Sequence, residues 1–341
     1  MRFEYTSPQT EFESMIGGHF HISAYGKITR GDDQKFLEFL DKTHPPPGTV
    51  VYIDSGGGEV EPAIEIGRAI RSNRLSTDVG RYLLGGTGVD GLIVSRKKEP
   101  GQCMSAATLI YLGGRLRYFS NDARFGVHQF SFADPVPKKE YLSQILSAKM
   151  ARYISDMSIS TEFLEISSRT PSSEILSIPK ERLEELGVVT GGLTNVEWST
   201  QSRGGLIYVR GERDSLFGRH KVMLKYSKAT GFMFWGLVEA QGRHKELTEL
   251  PLVEITHGED EETIDVSAKS VRLSAGEDVN IFVPLSEDEA IFLANSTAFG
   301  VQVRASPDAP LFLGASPLDT SSGTEQLTSF VNAITGRGGS K

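Results

Sequence analysis

Three short stretches carry the residue types that acyl transfer needs. Ser105 stands in Gly101-Gln102-Cys103-Met104-Ser105-Ala106-Ala107, between a glycine-led turn and the apolar run that ends at Leu112. A serine at the first turn of a helix lies near unpaired backbone N–H groups and the positive end of the helix dipole, which suits an oxygen that will carry charge. His128 ends the run Ala123-Arg124-Phe125-Gly126-Val127, and a histidine there can take the serine proton as general base. Asp54-Ser55-Gly56-Gly57-Gly58 follows a β-branched run, and its glycines let the backbone approach a ligand and point N–H groups at a developing oxyanion. Each stretch also has a plainer reading. Ser105 is then the N-cap of a buried helix, the glycines are an empty tight turn, and His128 is structural or solvated.

The elements around these residues decide whether they meet. His19 to Lys27 alternates as a strand, and Gly31 to Lys42 places Phe36, Leu37, Phe39 and Leu40 on one side of a helix that His44-Pro45-Pro46-Pro47-Gly48 ends. Thr49 to Ile53 is β-branched and apolar throughout, as a strand of a parallel sheet buried on both faces should be. After the glycine turn, Ala63, Ile64, Ile66, Ala69 and Ile70 recur at helical spacing. Thr77 to Leu84 reads as a strand, and Gly85 to Gly88 with Arg96-Lys97-Lys98 as an irregular basic excursion. Arg117 to Phe119 and Ala123 to Val127 read as short strands, Phe130 to Lys138 as a loop, Glu140 to Met157 as an amphipathic helix, and Lys180 to Leu186 as a last short helix. With right-handed crossovers, Ser105, His128 and the Gly57-Gly58 turn fall on one edge of the sheet, where open α/β sheets place their sites.

Beyond residue 200 the pattern changes to short alternating strands from Leu206 to Arg304, which predicts a β-sandwich or barrel. The expected plan is an N-terminal segment over 1–18, an α/β domain over 19–200, a β-rich domain over 201–315, and a C-terminal helix and tail over 316–341. A chain of 341 residues is long enough for two cores. The net charge of −8 repels phosphate backbones, so nucleic acid is not an expected partner. Met1 to Gly18 lacks the basic region and apolar run of a signal peptide, and no window is apolar enough to span a membrane, which reads as a cytoplasmic protein. A single cysteine, Cys103, leaves no internal disulfide, and no second His or Cys stands at ligand spacing beside His128, so neither metal nor cofactor is expected. The glycine turn has the spacing of neither a P-loop nor a dinucleotide fingerprint. Gly258 to Glu262 reads as an exposed acidic loop, with calcium binding a weaker option because the ligand spacing of a known loop is missing.

Taken together and in order, the motifs carry a family resemblance. Gly101 to Ala107 resembles the nucleophile motif of the Clp-type serine protease subunits, which share their fold with the crotonases. Asp54-Ser55-Gly56-Gly57-Gly58 resembles that family's oxyanion turn, and Ala123 to Gln129 the strand bearing its histidine, over about residues 19–192. The resemblance implies an α/β Clp protease/crotonase-like fold, a parallel β-sheet with flanking helices. It implies a serine-type endopeptidase with Ser105 as nucleophile, His128 as general base, and the N–H groups of Gly58 and Ala106 as the oxyanion hole. Its third member is an aspartate before the last helix. There the nearest carboxylate is Glu174, Ser173 aligns almost as well, and Asp156 and Glu165 are possible substitutes.

The helix from Glu140 resembles the handle through which the family stacks its rings. A homo-oligomer, a peptide or protein substrate, and an unfoldase or other protein partner are implied, since the chain has no nucleotide motif of its own. The insertion between Leu83 and Pro100 is absent from compact members and would cover or gate the cleft. Two alternatives are a catalytically inactive Clp-like oligomeric scaffold or binding protein, and a crotonase-like acyl-CoA enzyme, which would use the turn N–H groups to hold an enolate.

Overall fold

Val51 and Ile53 are buried within a sheet, whereas Val50, Tyr52 and Asp54 of the same strand are half-buried, so the run alternates where burial on both faces was expected. A computed structural model describes residues 1–15, 19–87, 91–131 and 139–336, and divides into two units, Met1–Gly192 and Leu193–Lys341. The first unit begins with β1 (Arg2–Thr6), α1 (Glu11–Met15), β2 (His21–Tyr25), α2 (Asp32–Thr43), β3 (Val50–Asp54), α3 (Val60–Ser72) and β4 (Ser76–Val79). The sheet order is β1-β2-β3-β4, with β2, β3 and β4 parallel and β1 antiparallel at the edge. The N-terminal segment therefore does more than precede the fold, because Phe3 pairs with Ala24 across the edge of the sheet. Phe36 and Leu40 of α2 and Ile66 and Ile70 of α3 share one core with Ile22, Val51 and Ile53.

Gly80, at φ +134, splits the strand expected over Thr77 to Leu84. The chain turns there into β5 (Arg81–Thr87), which pairs antiparallel with β6 (Val94–Glu99). The basic excursion is thus a hairpin, and two of its cations are paired internally. Arg96 grips the buried Glu13 carboxylate through two hydrogen bonds of 2.7 and 2.8 Å, and this pairing holds Glu13 well below the usual carboxylate range. Lys98 pairs with Asp78 and donates to Ser120 Oγ at 2.9 Å. Tyr82 stacks on Tyr52 of β3 at 4.9 Å and stands edge-on to His21 of β2 at 4.9 Å. The hairpin is clasped to the sheet through these contacts.

His21 is only 3% exposed, and burial, with the nearby Arg96 cation, pushes its imidazole down to about 4. An unfolded chain binds this proton below about 6.5 and the folded one only near 4. Stability is therefore lost as the pH falls through that window, by at most about 3 kcal/mol. His21→Gln is expected to flatten the fall of melting temperature between pH 6.5 and pH 4. Parallel profiles for variant and wild type would place the acid sensitivity elsewhere.

The rest of the first unit comprises β7 (Gln102–Met104), α4 (Ala107–Leu112), β8 (Arg124–Val127), α5 (Lys139–Asp156), α6 (Thr161–Arg169), β9 (Leu176–Ser177) and α7 (Lys180–Glu185). β7 runs parallel to β8, and β9 pairs antiparallel to β8. Ser55 joins this sheet to the first, donating its N–H to the Gln102 carbonyl at 2.7 Å and accepting from the Met104 N–H at 3.0 Å. Only a bridge between Thr77 and Arg117 forms where a strand over Arg117 to Phe119 was expected. α3 and α4 cross closely because neither crossing position carries a side chain: a Cβ on Gly113 would lie 2.2 Å from the Gly67 carbonyl oxygen. Of the loop expected over Phe130 to Lys138, residues 132–138 lie outside the described residues, as do Gly88 of the glycine cluster and 337–341 of the tail.

The second unit contains β10 (Glu197–Arg203), β11 (Leu206–Ser215), β12 (Gly218–Ser227), β13 (Gly231–Glu239), α8 (His244–Glu249), β14 (Leu252–His257), β15 (Glu262–Asp265), β16 (Val271–Ala275), β17 (Asp278–Leu285), α9 (Glu287–Ala294), β18 (Ala298–Arg304), β19 (Leu313–Asp319) and α10 (Thr324–Thr335). Its strands form a six-stranded sheet ordered β10-β11-β12-β13-β17-β16 and a four-stranded sheet ordered β15-β14-β18-β19, all antiparallel. Phe234 and Ile281 of the first sheet share a core with Ile255 and Val301 of the second, and Leu327 and Phe330 of α10 join it. Of the two β architectures expected, the described strands make separate sheets and no closed barrel. The acidic run is the exposed turn between β14 and β15, with Glu261 at φ +51. Among the described residues, no helix is long and apolar enough to cross a membrane.

Candidate active site

Ser105 sits on the sharp turn from β7 into α4 at φ +56, the left-handed region that side chains avoid. Holding a serine there costs about 1–3 kcal/mol, and such a strand-to-helix turn lifts the hydroxyl clear of its own backbone. The turn is pinned on both sides: the Ser105 N–H donates to the Gly126 carbonyl at 2.9 Å, and the Ser105 carbonyl accepts from the Thr108 N–H at 3.0 Å and hydroxyl at 2.7 Å. The N-cap position of α4 belongs to Ala106, and among the described residues the Ser105 hydroxyl caps no N–H. The plainer reading of Ser105 as a cap thus loses its physical basis.

His128 directly follows β8. Its Nδ1 lies 2.7 Å from the Gln129 carbonyl, which can only accept, so the proton is on Nδ1 and Nε2 is left as the base. That short segment is itself anchored to α6. The Gln129 N–H donates to the Thr170 carbonyl at 2.8 Å, and the Ser167 hydroxyl to the His128 carbonyl at 3.0 Å. Ser105 and His128 line one narrow cavity of about 20 Å³ with Val60, Met150, Ile154 and Phe163, and none of the described hairpin residues lines it. No hydrogen bond joins the two side chains among the described residues, a separation that unliganded sites commonly close on binding.

Among the described residues none of the candidate third members makes a hydrogen bond or ion pair with the imidazole. Glu174 is exposed in a turn closed by its N–H on the Pro171 carbonyl at 3.0 Å. Ser173 is likewise exposed, Asp156 pairs with Arg68 at 3.1 Å, and Glu165 with Arg169 at 3.4 Å. The group that orients His128 is a main-chain carbonyl, which no side-chain motif could have announced.

The glycine turn packs directly on the serine turn. A Cβ on Gly57 would lie 2.8 Å from Ser105 Cβ, 2.8 Å from the Met104 carbonyl oxygen and 3.2 Å from the Ala106 nitrogen. Gly57 and Gly58 stand at φ +100 and +144. The Gly57 carbonyl accepts from the Ile28 N–H at 2.9 Å, and the Gly57 N–H is taken by Ser55 Oγ at 3.1 Å. The N–H groups of Gly58 and Ala106 donate to no acceptor among the described residues. Two open donors and a lifted hydroxyl are what a tetrahedral oxyanion requires. Burial pushes the adjoining Cys103 thiol well above its ordinary range, so it does not compete as a nucleophile.

No family model matches the chain, and no curated protein matches it. Among solved structures it is similar to ClpP1 from Listeria monocytogenes, at 17% identity and a TM-score of 0.36, over 50% of this chain and 88% of that one. An asparagine-to-aspartate mutant of the same ClpP1 matches at 17% identity and a TM-score of 0.36, over 52% and 92%. A serine-to-alanine mutant of the 1510-N membrane-bound stomatin-specific protease matches at 15% identity and a TM-score of 0.34, over 50% and 76%.

Proposed function

We propose that the first unit is a serine peptidase of the Clp type that cleaves peptide bonds through an acyl-enzyme on Ser105. The observation that carries this reading is the convergence on one pocket of a hydroxyl at φ +56 and an imidazole whose Nδ1 is engaged by a carbonyl. Ser105 Oγ attacks the scissile carbonyl carbon as its proton passes to His128 Nε2, and the oxyanion rests on the N–H groups of Gly58 and Ala106. Collapse breaks the C–N bond, and the same proton moves from His128 to the leaving amine. Water, deprotonated by His128, then attacks the acyl carbon, and its proton returns to Ser105.

In this reading α5 is also the assembly element, with Tyr141 and Ile145 exposed toward its start while Met150, Tyr153 and Ile154 are buried toward its end. Homo-oligomeric assembly and supply of substrate by an unfolding partner belong to the same proposal. The inactive-scaffold alternative draws on the exposure of Glu174. A direct test is hydrolysis of unfolded casein and fluorogenic peptides without added metal or nucleotide. Ser105→Ala is expected to lower the rate by at least about 10⁴-fold at an unchanged melting temperature. A folded, assembled wild type that cleaves nothing favours the scaffold.

A further inference from the structure

Ser55 touches both the nucleophile strand and the oxyanion turn through its own atoms. Its main chain pairs with β7 on either side of Cys103, at 2.7 Å to the Gln102 carbonyl and 3.0 Å from the Met104 N–H. Its hydroxyl, 1% exposed, donates to the Gly26 carbonyl at 2.8 Å and accepts from the Gly57 N–H at 3.1 Å. The peptide between Gly56 and Gly57 is thereby held at its N–H by Ser55 Oγ. On the other side, the Gly57 carbonyl is held by the Ile28 N–H at 2.9 Å. With Gly57 held at both its N–H and its carbonyl, the N–H of the peptide that follows, that of Gly58, is aimed in one direction.

We infer that Ser55 is a positioning residue, whose hydroxyl holds Gly57 at its N–H and so fixes the turn in which the Gly58 N–H faces the carbonyl oxygen under attack at Ser105. This rests on the peptidase reading for its kinetic consequence, though not for its structural one. The hydroxyl touches no substrate. It acts through Gly57, by denying that N–H any other acceptor and by tying the turn to the loop at Gly26. The strand that delivers Ser105 is registered to the same residue, so the distance between nucleophile and oxyanion donor is set at one position of the chain. A donor displaced by about 1 Å in such a site lowers the rate on the order of 10²-fold.

The test compares wild type, Ser55→Ala and Ser55→Cys, the last keeping the shape with a weak acceptor. Both variants are expected to lower kcat for a fluorogenic peptide by about 10- to 100-fold, with KM within about twofold of wild type, because the oxyanion contact forms only in the transition state. Amide exchange over residues 55–59 is expected to quicken roughly tenfold in both, as the Gly57 N–H loses its acceptor. If Ser55→Ala does not fold, Ser55→Cys carries the comparison. A folded variant with wild-type kcat, or with wild-type exchange in this segment, overturns the assignment. A wild type that is never acylated overturns the peptidase reading instead, and the exchange comparison still decides the part played by Ser55.

Discussion

His128→Ala is expected to slow acylation of Ser105 by at least about 10³-fold, whereas Glu174→Gln is expected to leave it at the wild-type rate. The first effect follows from the base itself: without Nε2 no group among the pocket residues named above can take the serine proton. The second follows from what stands behind the imidazole. In a triad, neutralising the carboxylate costs about 10⁴-fold, because the tautomer and orientation of the histidine are lost. Here Nδ1 is held at 2.7 Å by the Gln129 carbonyl, and that residue is held in turn by Thr170 at 2.8 Å. Glu174 has no part in this chain of contacts. Rates of inactivation by a fluorophosphonate measure both variants on one scale. A loss for Glu174→Gln comparable with that for His128→Ala would mean that a carboxylate moves in behind the histidine during turnover.

Gly57→Ala is expected to lower acylation by about 10²- to 10³-fold, the scale of losing an oxyanion donor. Its Cβ would meet backbone on two sides, 2.8 Å from the Met104 carbonyl oxygen and 3.2 Å from the Ala106 nitrogen, besides Ser105 Cβ at 2.8 Å. None of these is the far end of a flexible side chain, so the turn itself must retreat from the nucleophile. The residue also stands at φ +100, which an alanine adopts only with strain. Gly56→Ala is the matched control, since a Cβ there meets nothing within 4 Å and its φ is not positive. It is expected to keep the wild-type rate. Equal losses in the two variants would mean that the turn tolerates no side chain for reasons unrelated to the oxyanion.

What could be read in the sequence was what side-chain type and spacing encode. The β-branched run at Val51 and the apolar spacing from Ala63 to Ile70 announced β3 and α3, and the glycines between them announced a close approach of backbone. Ser105 and His128 were legible as candidates, and the structure places both on one pocket. The hairpin over 81–99 was not legible, because its basic residues suggested solvent. In the fold Arg96 and Lys98 instead find buried carboxylates, Glu13 on an element remote in sequence and Asp78 on the strand just before the hairpin. β1 was not legible either, because five residues of mixed polarity are a strand only when β2 offers them a ladder. The orienting carbonyl of Gln129 and the role of Ser55 lie beyond any reading of residue types. One is main chain, and the other depends on a hydroxyl meeting Gly26 and Gly57 in space.

The most direct test of the central claim is to treat the folded protein with a fluorophosphonate, measure the intact mass, and map the adduct by peptide mass. A single adduct is expected on Ser105, absent in Ser105→Ala and formed far more slowly in His128→Ala. A wild type that stays unmodified both as dilute protein and as any assembly it forms would contradict it. So would an adduct on another serine that persists in Ser105→Ala.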